Sequence, residues 1–303
     1  MKKILIILFF LLTGCQCSWA LHKDSRFLMG TIVEVISPDS RAADIVFKEV
    51  ERIDALLSIY KEESEISQLN KQGKIKASAD MLFVVKRAGE FWSQTQGAFD
   101  VTVGPLVKLW GFYDRNYRVP KDPEIKEISK LIGFDKLSID DNIIAFKIKN
   151  MKIDLGAIAK GYAVDCAVKK LKAAGISSAL INAGGDIYCL GDKRGNPWRV
   201  AIKTGKGSNP VEYLELMDKA VATSGNYEQY FSVNNVRYCH ILNPKTGKPA
   251  DSGVKSVTVV ADNCLLADAL ATSIFVLGRT SSEELVKRFN AEAKISTDVQ
   301  NNK

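Results

Sequence analysis

The spacing of hydrophobic residues beyond position 40 is typical of amphipathic helices. Ala42, Val46, Val50, Ile53 and Leu57 recur every three or four positions and predict one buried helix face. The same spacing predicts a helix at 81–93. Further helices are predicted at 157–174, ended by Gly175, and at 264–277, and a capping box of Ser281 and Glu284 opens a last helix. Most of these helices are separated by segments whose hydrophobic residues do not follow helical spacing.

Those stretches are rich in β-branched and aromatic residues, which favour strands. The predicted strands are 29–36, a hairpin within 136–148, 179–182, 187–190, 198–203, 220–223, 238–242 and 254–261. The polar segment 58–70 predicts a loop with one helical turn. Helices and strands alternate without a regular βαβ order, and no linker divides the chain. We therefore expect an α+β fold in a single domain over residues 25–303.

The N-terminal residues have the pattern of an export signal. Lys2 and Lys3 precede an apolar run at 4–12, which is shorter than the roughly 20 residues that a membrane-spanning helix needs. The run ends in Leu-Thr-Gly-Cys at 12–15, a sequence that resembles the lipobox of bacterial lipoproteins. The alternative is an ordinary signal peptide that is cleaved near Ala20.

The lipobox resemblance implies acylation of the Cys15 thiol and cleavage before that residue. Residues 1–14 would then be the signal peptide and residues 15–24 a lipidated tether. Several acyl chains together anchor a protein stably. We expect an exported protein that is held in the membrane at Cys15, faces the periplasm and lies at the inner membrane.

Composition narrows the function classes. The formal net charge is +7, and removal of Lys2 and Lys3 leaves +5, which is mild. No basic run is interleaved with aromatic residues, so we expect no nucleic-acid partner. Six cysteines without CxxC spacing disfavour a zinc cluster or a disulfide framework, although one pair could be oxidised outside the cytoplasm. Two histidines exclude a multi-histidine metal site, and P-loop and GxSxG sequences are absent.

Asp268 and Thr272 form the first candidate site. Positions i and i+4 share one face of a helix, so a carboxylate and a hydroxyl would lie side by side. Such hard oxygen ligands suit Mg²⁺, which also binds phosphate oxygens. The alternative is structural: an acidic residue near a helix N-terminus and a threonine bonded to its own backbone.

Three further segments combine turn formers with polar side chains. His240 precedes Asn243-Pro244 and Thr246-Gly247, a turn that would present the imidazole to a cleft. Asp154-Leu-Gly156 opens a helix that carries Lys160, and a helix N-terminus binds anions. The sequence 182–186 contains two glycines that allow a backbone to approach a ligand. Each of these segments could equally be a capped helix, a satisfied histidine or a structural turn.

Together with 29–31, 97–100 and 222–225, these segments resemble the ApbE family, the FAD:protein FMN transferases, in motif order and over residues 29 to about 278. The resemblance implies a T-fold-like, two-lobed α+β architecture with the flavin between the lobes. It also implies Mg²⁺ as the cofactor, FAD as the substrate and a protein acceptor. FMN would be joined through a phosphoester bond to a Ser or Thr of that acceptor, and AMP would be released.

The resemblance also assigns residues. Metal ligands would be Asp268, Thr272 and the backbone oxygen of Ala157. The FAD contacts would be Met29, Tyr60, Ala98, Phe99, Asp100, Asp154, Lys160 and Ile241. His240, in the motif that runs to Gly247, would act near the diphosphate as a catalytic residue beside Asp268.

Two other functions use the same pocket. An FAD pyrophosphatase would pass FMN to water, and a flavin-binding lipoprotein would bind FAD without turnover. A purely structural lipoprotein would leave the Asp268, Thr272 and His240 motifs without a purpose.

Overall fold

The computed structural model describes residues 20–203, 211–280 and 282–297. The α-helices are α1 (Ala42–Leu57), α2 (Glu65–Gln72), α3 (Ala79–Gln94), α4 (Gly104–Leu109), α5 (Asp122–Ser129), α6 (Ala159–Ala173), α7 (Cys264–Leu277) and α8 (Ser282–Arg288). The strands are β1 (His22–Leu28), β2 (Thr31–Ser37), β3 (Lys74–Lys76), β4 (Leu137–Asp140), β5 (Ile143–Phe146), β6 (Ala179–Ala183), β7 (Asp186–Leu190), β8 (Trp198–Lys203), β9 (Val211–Leu216), β10 (Lys219–Gly225), β11 (Tyr230–Val233), β12 (Val236–Cys239), β13 (Leu242–Asn243), β14 (Lys248–Pro249), β15 (Val254–Ala261) and β16 (Glu292–Thr297). Within these ranges, no helix combines the length and the apolar character needed to cross a bilayer.

A seven-stranded sheet forms the centre of the fold. Its strand order is β1-β2-β6-β7-β10-β15-β16, and each neighbouring pair is antiparallel. Alternate side chains of the strands face opposite layers. Ile181 and Val257 face the helical layer and Leu180 and Val221 face the other, so the central strands are buried on both sides.

Helices α1, α6 and α7 cover one face of the sheet, and the β8–β9 hairpin covers part of the other. α1 presents the apolar face that its spacing predicts, and Val46, Val50 and Ile53 are completely buried. α7 is different, because every residue from Cys264 to Val276 except Thr272 is buried. A helix that is apolar all round belongs inside a core, so the Asp268 carboxylate in α7 is exceptional.

The strand that precedes β2 is joined to it by a two-residue turn. Leu28 pairs with Thr31, so Met29 and Gly30 form the whole connection. Both residues have positive φ, at 51° and 73°. A tight turn with this geometry matches the right-handed twist of a hairpin, but a non-glycine residue such as Met29 is strained in it.

The predicted α+β class is confirmed, as are helix α7 and the β4–β5 hairpin at Asp141-Asn142. Segment 58–70, predicted as a loop with one helical turn, is a loop up to Ser64, and its helix is longer than predicted. α2 begins at Glu65 behind Ser64, whose side chain accepts a hydrogen bond from Ser67 N. β1 begins at His22, inside the predicted tether.

The predicted strand at 238–242 is two strands, with His240 and Ile241 between them. Strand β16 was not predicted at all. It completes the sheet through pairing with β15, which lies far from it in the sequence. The capping box assigned to Ser281 lies outside the described residues, as does Cys15.

Candidate active site

A cavity of about 300 Å³ lies between the helical layer, β10 and the loops around residues 58–60, 98–103 and 228–244. Its lining includes every residue that the sequence assigned to binding or chemistry within the described chain: Met29, Tyr60, Ala98, Phe99, Asp100, Asp154, Ala157, Lys160, His240, Ile241, Asp268 and Thr272. These residues come from segments up to about 240 positions apart, so the fold, and not local sequence, brings them together.

Helix α7 carries the polar centre of the cavity. Asp268 is 4% exposed, and its Oδ2 accepts a hydrogen bond from the backbone N–H of Gly161 across 3.2 Å. Thr272 lies one turn later, and its Oγ1 is 3.1 Å from Ser224 Oγ on β10. Burial raises the pKa of Asp268, and the nearby Asp186 raises it further, while Lys160 lowers it. When the buried Asp268 carboxylate is ionised, it requires a positively charged partner.

Lys160 supplies only part of that positive charge. Its ammonium forms an ion pair with Asp186 and lies 4.0 Å from Asp268 Oδ2. Burial lowers the pKa of Lys160, but Asp186 and Asp268 more than offset this and raise it, so the ammonium is charged. Glu228 also lines the cavity. Three carboxylates therefore share one ammonium, and burial raises the pKa of each of them, that of Glu228 to about 7. When these groups are ionised, the negative charge around Lys160 exceeds the positive charge.

This excess fits a divalent cation. The carboxylate of Asp268, the hydroxyl of Thr272 and the carbonyl of Ala157 are hard oxygen donors on the lining of one cavity. Mg²⁺ is bound by one or two carboxylates together with substrate phosphates and water, so it does not need a cage of protein ligands. The described residues contain no group of three or more His, Cys, Asp and Glu side chains arranged around a metal position.

His240 also lines the cavity and lies between β12 and β13. Its backbone N–H and its ring Nδ1 both lie within hydrogen-bond distance of the carbonyl oxygen of Gln229, at 3.0 and 3.1 Å. A carbonyl oxygen only accepts, so Nδ1 is assigned the proton and Nε2 keeps the lone pair. Burial lowers the pKa of His240, and the Lys160 charge adds to this. The imidazole is neutral near pH 7 and can accept a proton at Nε2.

Part of the cavity lining is aromatic and apolar. Tyr60 is 72% exposed at the mouth, with its ring 6.4 Å from that of Tyr113 and nearly perpendicular to it. The Tyr113 hydroxyl donates to Asp154 Oδ2 at 2.9 Å, and Gly156 N donates to Oδ1 at 2.8 Å. Met29 and Phe99 also belong to the apolar part of the lining. A flat, apolar ring system would find contacts here on several sides.

Asp100 lines the cavity, but its carboxylate serves the protein. Oδ1 accepts from the backbone and hydroxyl of Thr102 at 2.8 and 2.6 Å, and Oδ2 accepts from Phe134 N at 3.2 Å. Burial raises the pKa of Asp100 despite these bonds. Its side chain therefore fixes the 98–102 loop, and Ala98 and Phe99 are held in the cavity wall as a result.

Sequence reasoning did not assign Asp186, Glu228, Tyr113 or Ser224. Asp186 ends the double-glycine segment 182–186, and an acidic first residue on a buried strand is a signal that the sequence displays. Ser224 likewise falls in segment 222–225, which contributes to the family resemblance. Tyr113 and Glu228 stand in loops, where nothing in the local pattern distinguishes a cavity residue from a solvent-exposed one.

The chain matches the model of the ApbE family over residues 29–295. It is 40% identical over 237 residues to a Vibrio cholerae protein named FAD:protein FMN transferase, with 76% of this chain and 71% of that protein covered. A Haemophilus influenzae protein of the same name is 33% identical over 301 residues, covering 92% and 87%.

Solved structures agree with these matches. The crystal structure of the ApbE protein of Thermotoga maritima superimposes with a TM-score of 0.84 at 36% identity, covering 91% of this chain and 94% of that one. The match extends over most of this chain and most of that one. The chain belongs to the ApbE family.

Proposed function

We propose that this protein is an FAD:protein FMN transferase. It would cleave the diphosphate of FAD, attach FMN through a phosphoester bond to a Ser or Thr of an exported acceptor protein, and release AMP. The relatives named above support the flavin transfer. The observation that carries the proposal is that Asp268, Thr272, Lys160 and His240 line the same cavity as an aromatic and apolar wall.

Asp268, Thr272 and the Ala157 carbonyl would hold Mg²⁺ beside the diphosphate. Bound there, Mg²⁺ would offset the charge that develops on phosphate oxygens during the transfer. The excess negative charge of the cavity favours such a cation and, without one, would repel a diphosphate.

The remaining residues would bind and orient the substrate. Met29, Tyr60 and Phe99 would pack against the isoalloxazine ring, and the Lys160 ammonium would face a phosphate. Tyr113 holds Asp154 in a fixed orientation at the cavity wall.

His240 would handle the proton of the acceptor. Its Nε2 would take the hydroxyl proton as the acceptor oxygen bonds to the FMN phosphorus and the bond from that phosphorus to the AMP oxygen breaks. The Gln229 carbonyl fixes the ring orientation and tautomer that this requires. His240 would then return the proton to solvent.

We also propose that the protein is exported and anchored at Cys15 in the inner membrane, on the periplasmic side. The support is the sequence pattern of residues 1–15. Incorporation of labelled palmitate in wild type, and its loss with Cys15→Ala, would test this anchor.

The activity is tested by incubating the full chain with FAD, Mg²⁺ and an acceptor protein bearing an accessible Ser/Thr flavinylation segment. We expect AMP in solution and covalent flavin fluorescence on the acceptor, both abolished by EDTA. Asp268→Asn should abolish both, while Asp262→Asn, an exposed residue paired with Lys219, should leave them unchanged. Full Mg²⁺-dependent AMP release by Asp268→Asn would refute the assignment.

The same mixture separates the alternatives. AMP without fluorescence on the acceptor would indicate an FAD pyrophosphatase. Bound FAD without any AMP would indicate a flavin-binding protein that does not turn over its ligand.

A further inference from the structure

We propose that Asp186 is a positioning residue that holds the Lys160 ammonium away from Asp268 and so keeps the Asp268 carboxylate available for a divalent cation. This inference rests on the proposed function, because it concerns the cation site at Asp268. It gives segment 182–186, which contains the two glycines and ends in Asp186, a role in positioning the charges of that site.

The pairing of charges is unequal. Lys160 makes its direct ion pair with Asp186, which is 2% exposed, and stays 4.0 Å from Asp268 Oδ2. Asp268 receives its hydrogen bond from the backbone N–H of Gly161 instead. An ammonium on a flexible side chain could reach either carboxylate, so the position of Asp186 decides where the charge lies.

The backbone around Asp186 is rigid. Ala183 pairs with Asp186, so Gly184 and Gly185 form a two-residue hairpin turn with φ values of 64° and 102°. Gly185 N donates to Asn182 Oδ1 at 2.8 Å, and a Cβ on Gly184 would lie 2.3 Å from Thr31 Oγ1. The turn accepts only glycine at this point and is locked against β2. The backbone of Asp186 is therefore held in a fixed position, from which its carboxylate forms the ion pair with Lys160.

Charge balance gives the consequence. With Asp186 present, three carboxylates, Asp186, Asp268 and Glu228, face one ammonium, and Asp268 is not the direct partner of that ammonium. Without Asp186, the ammonium would pair with Asp268, which lies 4.0 Å away, and the site would lose one negative charge. A carboxylate paired with an ammonium attracts a divalent cation much less strongly than an unpaired carboxylate does.

The test measures Mn²⁺ binding to the full chain by electron paramagnetic resonance, without FAD, in wild type, Asp186→Asn, Lys160→Met and the double variant. We expect Asp186→Asn to weaken Mn²⁺ binding at least about tenfold, as loss of outer-shell partners of metal ligands commonly does. Lys160→Met should bind Mn²⁺ as tightly as wild type or more tightly. The double variant should return to within about threefold of wild type, because both partners of the pair are gone.

Asp262→Asn, which removes one partner of an exposed ion pair, is the matched control and should bind Mn²⁺ like wild type. Thermal unfolding monitors whether each variant is folded. Wild-type affinity in Asp186→Asn, or a double variant as weak as Asp186→Asn, would overturn the inference. Lys160→Met binding as weakly as Asp186→Asn would also overturn it. Failure of wild type to bind Mn²⁺ or release AMP would instead refute the proposed function, and this inference with it.

Discussion

The backbone N–H of Gly161 donates a hydrogen bond to Asp268 Oδ2 across 3.2 Å, and this contact joins α6 to α7 beside the cavity. The two helices approach closely because residue 161 has no side chain. A Cβ there would lie 2.4 Å from the carbonyl oxygen of Cys264 and 2.8 Å from the Cα of Leu265. Both are backbone atoms, which cannot move aside as a flexible side chain can.

Gly161→Ala should therefore separate α6 from α7 and displace Asp268. We expect a loss of about 1–3 kcal/mol in the free energy of unfolding, as is usual for overpacked cores. Mn²⁺ binding should weaken as well. Ala167→Gly, on the same helix and completely buried, should cost about 1–2 kcal/mol through helix propensity and the loss of a buried methyl group. Equal Mn²⁺ affinity in the two variants would contradict the role assigned to Gly161.

The periodic elements could be predicted because their signals are local. α1 follows from its apolar spacing, and the β4–β5 hairpin follows from the turn residues Asp141 and Asn142. β16 could not be predicted, because its six residues form a strand only through pairing with β15. The full length of α2 could not be predicted, because a short polar helix depends on its Ser64 cap more than on an apolar face.

The candidate site divides in the same way. Asp268 and Thr272 share one helix face, which the sequence displays directly. The partners of that face lie about a hundred residues earlier, and no spacing rule connects them. Asp186 and the Gly161 N–H reach Asp268 only because α6, α7 and β7 pack against one another.

Asp165 illustrates a partner of this kind and gives a second prediction. Its carboxylate accepts hydrogen bonds from Cys264 N at 2.7 Å and Leu265 N at 2.9 Å, across 99 and 100 residues of sequence. Burial raises the pKa of Asp165 to about 6, although both hydrogen bonds lower it. The folded protein thus binds this proton more tightly than the unfolded chain, whose Asp pKa is about 3.9.

The contribution of Asp165 to the free energy of unfolding should therefore fall as the pH rises from about 4 to 6 and stay constant above that range. The decrease from this group is about 3 kcal/mol as an upper figure. Asp165→Asn removes the titration. Chemical denaturation of both proteins at pH 4, 5, 6 and 7 should show the wild-type minus variant difference shrinking with pH. A difference that stays constant over this range would show that Asp165 does not titrate there.

A third prediction concerns His240. Because burial lowers its pKa below the ordinary value of about 6.5, transfer should stay active at pH 6.5 and fail only at lower pH. His240→Asn keeps a donor for the Gln229 carbonyl but removes Nε2. We expect kcat to drop at least about a hundredfold with little change in FAD affinity.

The measurements are single-turnover AMP release across pH 5–8 and FAD titration by fluorescence quenching. An acidic limb centred above pH 6.5, or a His240→Asn variant with normal kcat, would exclude His240 as the proton acceptor. A fall in FAD affinity without a fall in kcat would assign the residue to binding instead.

The last prediction follows from the strain at Met29. Its φ of 51° lies in the left-handed region, which costs an ordinary residue about 1–2 kcal/mol and costs glycine little. Met29→Gly should therefore raise or maintain the free energy of unfolding, because relief of strain offsets the flexibility that glycine gives the unfolded chain. It should weaken FAD binding, since the side chain lines the cavity.

Asp141→Gly, with a φ of 49° in the β4–β5 turn and outside the cavity lining, is the matched control. It should change stability in the same direction and leave FAD affinity unaltered. If Met29→Gly bound FAD as tightly as wild type, the strain would have no purpose in flavin binding, and Met29 would be only a hairpin residue.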